Sequence, residues 1–218
     1  YLHGLGIVSQ FSSDITMLNV QCTPKENSGR ILAGSADFMH FSGCRGKIKV
    51  IGCSFSGAQD DPINVHGTNL RVVATDPASK VLRLRFMHDQ SYGFTAFHID
   101  DHVALVHAAS LQRYFYANVK KVQRINDYEV EITLNKSLPK DITVNSDVVE
   151  NMTWTPEVEI RDCFFTRTST RGLLLTTPRR AVVTNNTFLK TGMAAILIAS
   201  DAADWYESGP VRNVLIKK

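Results

Sequence analysis

The sequence predicts an all-β protein, a right-handed parallel β-helix interrupted by an inserted antiparallel, barrel-like β domain. Three observations favour this fold: similar segments recur with a period in the low twenties, apolar residues alternate within each segment, and the recurrence stops in mid-chain. A β-patterned repeat of this length is typical of solenoids, in which each coil buries its inward residues on the next.

The repeat is visible in three segments that align without a gap, at residues 51–66, 161–176 and 184–199. A weaker copy lies upstream at residues 37–42. Each copy has apolar positions at a period of two and no helical stripe, which indicates strands. The shared columns contain Cys53, Cys163 and Asn186; Phe55, Phe165 and Phe188; and the pairs Ile63/Val65, Leu173/Leu175 and Ile196/Ile198.

The middle of the chain has a different pattern. Short stretches between residues 68 and 153 alternate apolar and polar residues and are separated by turn signals, as expected of antiparallel hairpins. We therefore expect the first part of the β-helix in residues 1–67, an inserted antiparallel domain in residues 68–153, and the continued β-helix in residues 154–218. The alternative is a set of longer solenoid coils, but these stretches share no columns with the repeat. Since solenoids need end caps and none is visible, we expect the native protein to extend beyond one or both ends.

Composition excludes several classes of protein. The net charge is +3 and the basic residues are scattered, so we expect no nucleic-acid partner. No apolar run approaches the length that spans a membrane. The four cysteines form no Cys-x-x-Cys pair, which favours buried free thiols over a zinc or redox site. Oligomeric state stays open.

Three aspartates are the candidate catalytic residues. The alignment places Asp37, Asp61 and Arg171 in one column and Asp60 in the next, so Asp37 and Asp61 should stack about 5 Å apart. Stacked carboxylates repel each other, and a nearby guanidinium reduces that cost. An acid opposite a carboxylate pair that holds water suits glycoside hydrolysis with inversion. The alternative is a ladder of aspartates that only cap turns.

Two runs carry a resemblance to a known family: Ala-Asp-Phe-Met-His-Phe-Ser-Gly-Cys-Arg-Gly at residues 36–46 and Gly-Ala-Gln-Asp-Asp-Pro-Ile-Asn-Val-His-Gly at residues 57–67. They resemble glycoside hydrolase family 110, exo-acting α-1,3-galactosidases with a parallel β-helix and inserted barrel domains. The run Asp-Trp-Tyr-Glu-Ser-Gly at residues 204–209 is also similar. A complete member of this family is longer than this chain.

The resemblance implies an inverting mechanism, with Asp60 as the general acid and Asp37 and Asp61 as the carboxylates that activate water. It implies removal of terminal α-1,3-linked galactose from an oligosaccharide or glycoconjugate, without a metal or cofactor. Whether the glycan is branched, of blood-group B type, or linear stays open. We also expect a secreted, periplasmic or cell-surface location, although the chain carries no signal peptide.

Four residues are candidates for binding the substrate: His66, Arg171, Trp205 and Glu207. His66 would donate to a sugar hydroxyl or merely close a turn. Trp205 would stack on a galactose face beside Glu207, or merely anchor its loop. A metal site at His98, His102 and His107 is disfavoured because alternating strands would scatter these side chains. Two rival functions stay open, a polygalacturonase-like β-helix hydrolase and a non-catalytic carbohydrate-binding β-helix.

Overall fold

A computed structural model describes residues 4–218, and this part of the chain is all-β, with twenty strands and no helix. Consequently it contains no helix that is long and apolar enough to cross a membrane. The strands are β1 (Ile7–Gln10), β2 (Ser13–Leu18), β3 (Gln21–Cys22), β4 (Met39–Ser42), β5 (Arg45–Ile51), β6 (Ser54–Ser56), β7 (Ile63–Asp76), β8 (Val81–Arg85), β9 (His102–His107), β10 (Gln112–Arg124), β11 (Glu129–Leu134), β12 (Val148–Asn151), β13 (Glu157–Arg161), β14 (Phe164–Thr168), β15 (Leu173–Leu175), β16 (Arg180–Thr184), β17 (Thr187–Thr191), β18 (Ile196–Ile198), β19 (Glu207–Ser208) and β20 (Asn213–Lys217).

The chain divides into two compact units. The first comprises residues 4–66, 155–199 and 210–218, and the second comprises residues 67–154 and 200–209. The segment 200–209 thus groups with the second unit, whereas the expected bounds of the continued β-helix, residues 154–218, include it. This segment aligns with none of the repeats, so the sequence did not predict that its strand β19 pairs with β7.

The first unit is built from three parallel sheets. One has the order β1, β4, the start of β7, β15 and β18. A second has the order β2, β5, β13, β16 and β20, and a third has β3, β6, β14 and β17. Each sheet therefore takes one strand from each successive stretch of chain.

The register between these strands joins the residues of the alignment columns. In the first sheet Ile63 lies opposite Met39 on one side and Leu173 on the other, and Leu173 lies opposite Ile196. A slip of one residue would turn every buried side chain outward, so the apolar alternation fixes this register. The same register carries the polar residues that precede the strands into neighbouring positions.

The core of the first unit contains a column of phenylalanine rings. Phe165 lies between Phe55 and Phe188, with ring centroids 5.0 and 4.5 Å away and nearly parallel planes. Phe55 also stacks on Phe38 at 6.3 Å. Offset stacked rings at these distances add to the free energy gained by burying them.

Replacing Phe165 with Ala is expected to lower the free energy of unfolding by about 3–5 kcal/mol, because a buried ring is lost and the rigid coils cannot close the cavity. Phe164 is the matched control, since it is the preceding residue on β14 but is 40% exposed where Phe165 is fully buried. Phe164→Ala should cost under about 1 kcal/mol. Urea unfolding measures both, and equal losses would contradict a role for the ring column.

The second unit is a closed antiparallel barrel. Its strands follow the ring order β7, β12, β9, β10, β11 and β8, and β8 pairs back onto β7. Closure leaves no unpaired edge in this ring. Its interior is filled by the apolar residues of the alternating strands, among them Leu70, Val72, Leu82, Leu84 and Leu105.

Candidate active site

The candidate catalytic residues lie in the first unit, each just before a strand of the same parallel sheet. Asp37 lies two residues before β4, Asp61 two before β7, and Arg171 two before β15. Met39, Ile63 and Leu173 share one register position. The side chains two residues before them, those of Asp37, Asp61 and Arg171, therefore lie next to one another at the ends of neighbouring strands. The column predicted from the sequence therefore corresponds to the order of the strands.

Local sequence shapes the turn that carries Asp60 and Asp61. Gly57 opens it with φ +72°, and a Cβ there would lie 2.4 Å from the carbonyl oxygen of Ile31, so only glycine fits. Pro62 closes it and restricts Asp61 to extended backbone. The carbonyl oxygens of Asp61 and Pro62 then accept backbone N–H groups from the preceding coil, at 3.2 and 3.0 Å.

One backbone N–H, that of Asp61, contacts the carboxyl groups of both Asp37 and Asp60. The Asp61 amide donates to Oδ1 of Asp37 at 3.1 Å and to Oδ1 of Asp60 at 3.0 Å. One oxygen from each of the three lies within 4.8 Å of the others. Asp61 and Asp37 are buried, whereas the Asp60 side chain is 42% exposed, so Asp60 is the member most open to a ligand.

The Asp61 carboxylate is held by the coil that carries Arg171. The guanidinium donates to Oδ2 through Nε at 3.1 Å and Nη2 at 2.6 Å. Oδ1 accepts the Thr170 hydroxyl at 2.8 Å and the Arg171 amide at 3.2 Å. Nη2 of Arg171 also lies 3.9 Å from Asp60 Oδ1. Both oxygens of a fully buried carboxylate are therefore satisfied.

Burial and charge act differently on the two neighbouring aspartates. Partial burial raises the pKa of Asp60, and the charges of Asp37 and Asp61 raise it further, while Arg171 opposes them. The pKa of Asp61 is raised as well, chiefly by burial, although hydrogen bonds from Arg171 and Thr170 oppose the shift. Because both shifts are upward, exposure and pairing distinguish the two residues: Asp60 is open to a ligand, and Asp61 is held by the Arg171 guanidinium.

A cluster of three carboxyl oxygens is also an arrangement that can hold a cation. Here the Arg171 guanidinium already places a positive charge against Asp61 and close to Asp60. The three carboxyl groups are therefore already partly neutralised by the Arg171 guanidinium.

Two contributors were missed by the sequence reasoning. Thr170 occupies the column of Asp60 in the alignment, and that position was the only signal that its hydroxyl lies next to Asp61. His40 lies three residues after Asp37, and its Nδ1 is 2.8 Å from Asp37 Oδ2. His66, a predicted substrate-binding residue, is only 5% exposed, and its Nε2 lies 3.0 Å from Nε2 of His40.

The other predicted substrate-binding residues, Trp205 and Glu207, lie in the second unit. Trp205 is 56% exposed and stacks on His88, with ring centroids 4.6 Å apart. Glu207 is partly buried in β19, opposite Thr68 of β7. An exposed indole face of this kind is suited to stacking on a sugar ring.

The three histidines that were weighed as metal ligands contact separate partners. His98 lies beside Trp154, His102 stacks on Tyr116 at 6.0 Å, and His107 stacks on Tyr114 at 4.0 Å. Among residues 4–218 they form no group that could hold a metal ion together.

Asp201 organises the loop that presents Trp205. Its carboxylate accepts backbone N–H groups from four consecutive residues, 203–206, at 2.5–3.0 Å. Partial burial raises the pKa of Asp201, but the four amides together bring it below its ordinary value. A carboxylate that accepts several backbone N–H groups stabilises the loop only while it is ionised.

Replacing Asp201 with Ala is therefore expected to lower the free energy of unfolding by about 2–3 kcal/mol at pH 7, since four amides lose a charged acceptor. Because the native pKa is lowered, this stabilisation is present above the unfolded value of about 3.9 and is lost as the pH falls through the native value. The difference in unfolding free energy between wild type and Asp201→Ala, measured by urea unfolding, should therefore be smaller at acidic pH than at pH 7. Asp204→Ala, an exposed neighbour, should change stability by under about 0.5 kcal/mol; a similar loss there would contradict the prediction.

The chain is similar to curated proteins that are named alpha-1,3-galactosidase. Residues 81–149, within the barrel, match the family model described as GLAA-B beta-barrel domain II. The whole chain is 59% identical over 217 residues to alpha-1,3-galactosidase A of Bacteroides fragilis, of which it covers 36%. It is 44% identical over 218 residues to alpha-1,3-galactosidase A of Akkermansia muciniphila, again covering 36%. Over 98% of its length it is 38% identical to alpha-1,3-galactosidase B of Bacteroides thetaiotaomicron, of which it covers 34%. The chain spans about a third of the length of these relatives.

Proposed function

We propose, because the likeness to these relatives supports the resemblance to glycoside hydrolase family 110, that this chain carries the catalytic centre of an exo-acting α-1,3-galactosidase. The observation that carries the proposal is a cluster of three carboxyl groups in different surroundings. Asp60 is exposed, Asp61 is buried and paired with Arg171, and Asp37 lies beside them on the preceding coil.

In the proposed reaction Asp60 is the general acid. It donates its proton to the glycosidic oxygen as the bond from that oxygen to C1 of galactose breaks. Asp37 and Asp61 orient a water molecule, whose oxygen attacks C1 while its proton passes to the carboxylates. The products are free galactose and a glycan that is one residue shorter. A proton then returns from the carboxylates to Asp60 through solvent.

Inversion is the finer part of the proposal. One oxygen from each of the three carboxyl groups lies within 4.8 Å of the others, which is shorter than the roughly 6.5–9.5 Å typical of inverting enzymes and close to the separation in retaining ones. The family resemblance supports inversion.

The test is proton NMR of the first product released from a terminal α-1,3-galactosyl oligosaccharide. Inversion predicts β-galactose before mutarotation, and α-galactose as the first anomer would contradict inversion while leaving the galactosidase intact. Matched α-1,4- and α-1,6-linked oligosaccharides should be cleaved far more slowly. Glycan binding without turnover would favour a non-catalytic binding protein, and turnover of a uronic-acid polymer would favour the polygalacturonase-like alternative.

We also infer that the first unit is a right-handed parallel β-helix. Three parallel sheets that each take one strand from every successive stretch of chain support this, as does their shared register. In such a scaffold each coil holds the residue before its strand in a fixed place relative to the next coil. That rigidity suits an acid and two carboxylates that must keep their spacing during the reaction.

A further inference from the structure

We infer that His40 is a positioning residue for Asp37 and that His66 stabilises the tautomer in which His40 does this. The inference rests on the proposed function, because it concerns the carboxylate that activates water. The supporting observation is a chain of side chains on two neighbouring coils: Asp37 Oδ2, then His40 Nδ1 at 2.8 Å, then His40 Nε2 and His66 Nε2 at 3.0 Å.

The strand pattern places His40 and His66 on the same side of the sheet. In β4 the flanking residues Met39 and Phe41 are fully buried in the core, so His40 points to the opposite face. In the register of the next coil His40 lies opposite Asn64, and His66 lies two residues further along. The imidazoles meet edge to face, with centroids 4.8 Å apart.

For neutral imidazoles and an ionised Asp37, the contact of His40 with Asp37 and the contact between the two rings fit one assignment of protons. An ionised carboxylate only accepts, so Nδ1 of His40 must carry a hydrogen that it donates to Asp37. Nε2 of a neutral His40 is then an acceptor, and Nε2 of His66 must carry the hydrogen between them. At 3.0 Å only one proton fits between the two Nε2 atoms. His66 is 5% exposed, so water competes little for this contact.

This assignment fixes both oxygens of Asp37. Oδ2 receives the imidazole N–H, and Oδ1 receives the Asp61 amide at 3.1 Å. With donors on both sides, the carboxylate plane cannot rotate about its Cβ–Cγ bond without losing one of them. A water-activating carboxylate has to hold its lone pairs in one direction, and a misplacement of about 1 Å can lower the rate by about 100-fold.

Two substitutions at position 40 separate orientation from packing. Asn places its amide nitrogen near the position of Nδ1, so His40→Asn keeps the donor to Asp37. Gln places its amide near Nε2, so His40→Gln keeps the contact with His66 and loses that donor. We expect His40→Gln to lower kcat by about 10–100-fold with KM within about threefold, and His40→Asn to recover most of that loss. Equal kcat values for the two variants, with equal melting temperatures, would overturn the inference.

A second measurement does not depend on turnover. Nitrogen NMR of histidine-labelled wild-type protein should show the Nδ1–H tautomer for His40 and the Nε2–H tautomer for His66. The opposite tautomer at His40 would overturn the inference even if the protein is an active galactosidase. If instead the tautomers are as assigned but wild-type protein cleaves no α-1,3-galactoside, the proposed function fails and the hydrogen-bonded chain stands.

Discussion

Replacing Asp60 with Asn should abolish turnover, with kcat lowered by about 10³-fold, because the amide has the shape of the carboxyl group but no proton to give to the leaving oxygen. The side-chain oxygen of Asn can still accept the Asp61 amide, so the turn should keep its conformation. Steady-state kinetics on a terminal α-1,3-galactosyl oligosaccharide measures the loss. Near-normal activity of the variant would rule out Asp60 as the acid.

The same substitution should not destabilise the protein. The raised pKa of Asp60 comes from burial and from the charges of Asp37 and Asp61, so its ionised form opposes folding at neutral pH. A carboxyl group with a raised native pKa contributes most to stability below its unfolded pKa of about 3.9. This contribution is lost as the pH rises through the native pKa. The melting temperature of Asp60→Asn should therefore equal or exceed that of the wild type at pH 7, and the difference should shrink in acid.

The matched control is Asp141→Asn, which removes an exposed carboxylate of the second unit. It should leave both kcat and the melting temperature close to wild type. The wild-type pH profile adds an independent check on the acid. kcat/KM should fall as the pH rises through the native pKa of Asp60, since the acid loses its proton.

The sequence predicted which residues would share a column, because the apolar alternation allows only one register. Once Ile63 and Leu173 are aligned, the backbone positions of Asp61 and Arg171 must be neighbours, whichever rotamers their side chains adopt. The alternation between residues 68 and 153 likewise predicted strands. It did not predict that β8 pairs with both β7 and β11, since strand order in a barrel depends on contacts between distant stretches of chain.

What the sequence could not supply is the direction of individual side chains. His66 looked like a group for a sugar hydroxyl because its position on the strand is outward, yet its ring is covered and meets His40. That contact joins residues that are not directly opposite each other and depends on side-chain torsions. The same holds for Thr170. The alignment column predicts that Thr170 lies near Asp61, but the side-chain rotamer of Thr170 determines whether its hydroxyl reaches the carboxylate.

Arg171→Met should combine a large loss of stability with loss of activity. The substitution keeps an unbranched side chain but removes the guanidinium, so the fully buried Asp61 loses its charge partner and two hydrogen bonds. Breaking a buried ion pair from one side typically costs about 3–5 kcal/mol, because the remaining charge is uncompensated. Turnover should fall as well, since Asp61 then favours its protonated form and no longer activates water.

The pH dependence of that loss follows from the same physics. Without Arg171 the burial of Asp61 is opposed less, so its native pKa rises further above the unfolded value. Arg171→Met is then more stable when Asp61 is protonated than when it is ionised. Its loss of unfolding free energy relative to wild type should therefore be largest at neutral pH and should narrow as the pH falls through the native pKa of Asp61 in the variant. Urea unfolding of both proteins across this range measures the change.

The double variant Asp61→Asn/Arg171→Met separates charge from packing. If the deficit arises from a stranded carboxylate, removing that charge should restore most of the stability lost in Arg171→Met, while activity stays absent because the carboxylate is gone. Arg171→Lys should be intermediate, since an ammonium keeps the charge but cannot reproduce the guanidinium's two donors to Oδ2. Equal stability losses in the single and double variants would instead assign the effect to packing of the arginine stem. In that case the pairing of Arg171 with Asp61 would contribute little to the scaffold, and holding Asp61 ionised for the attack of water would be its main role.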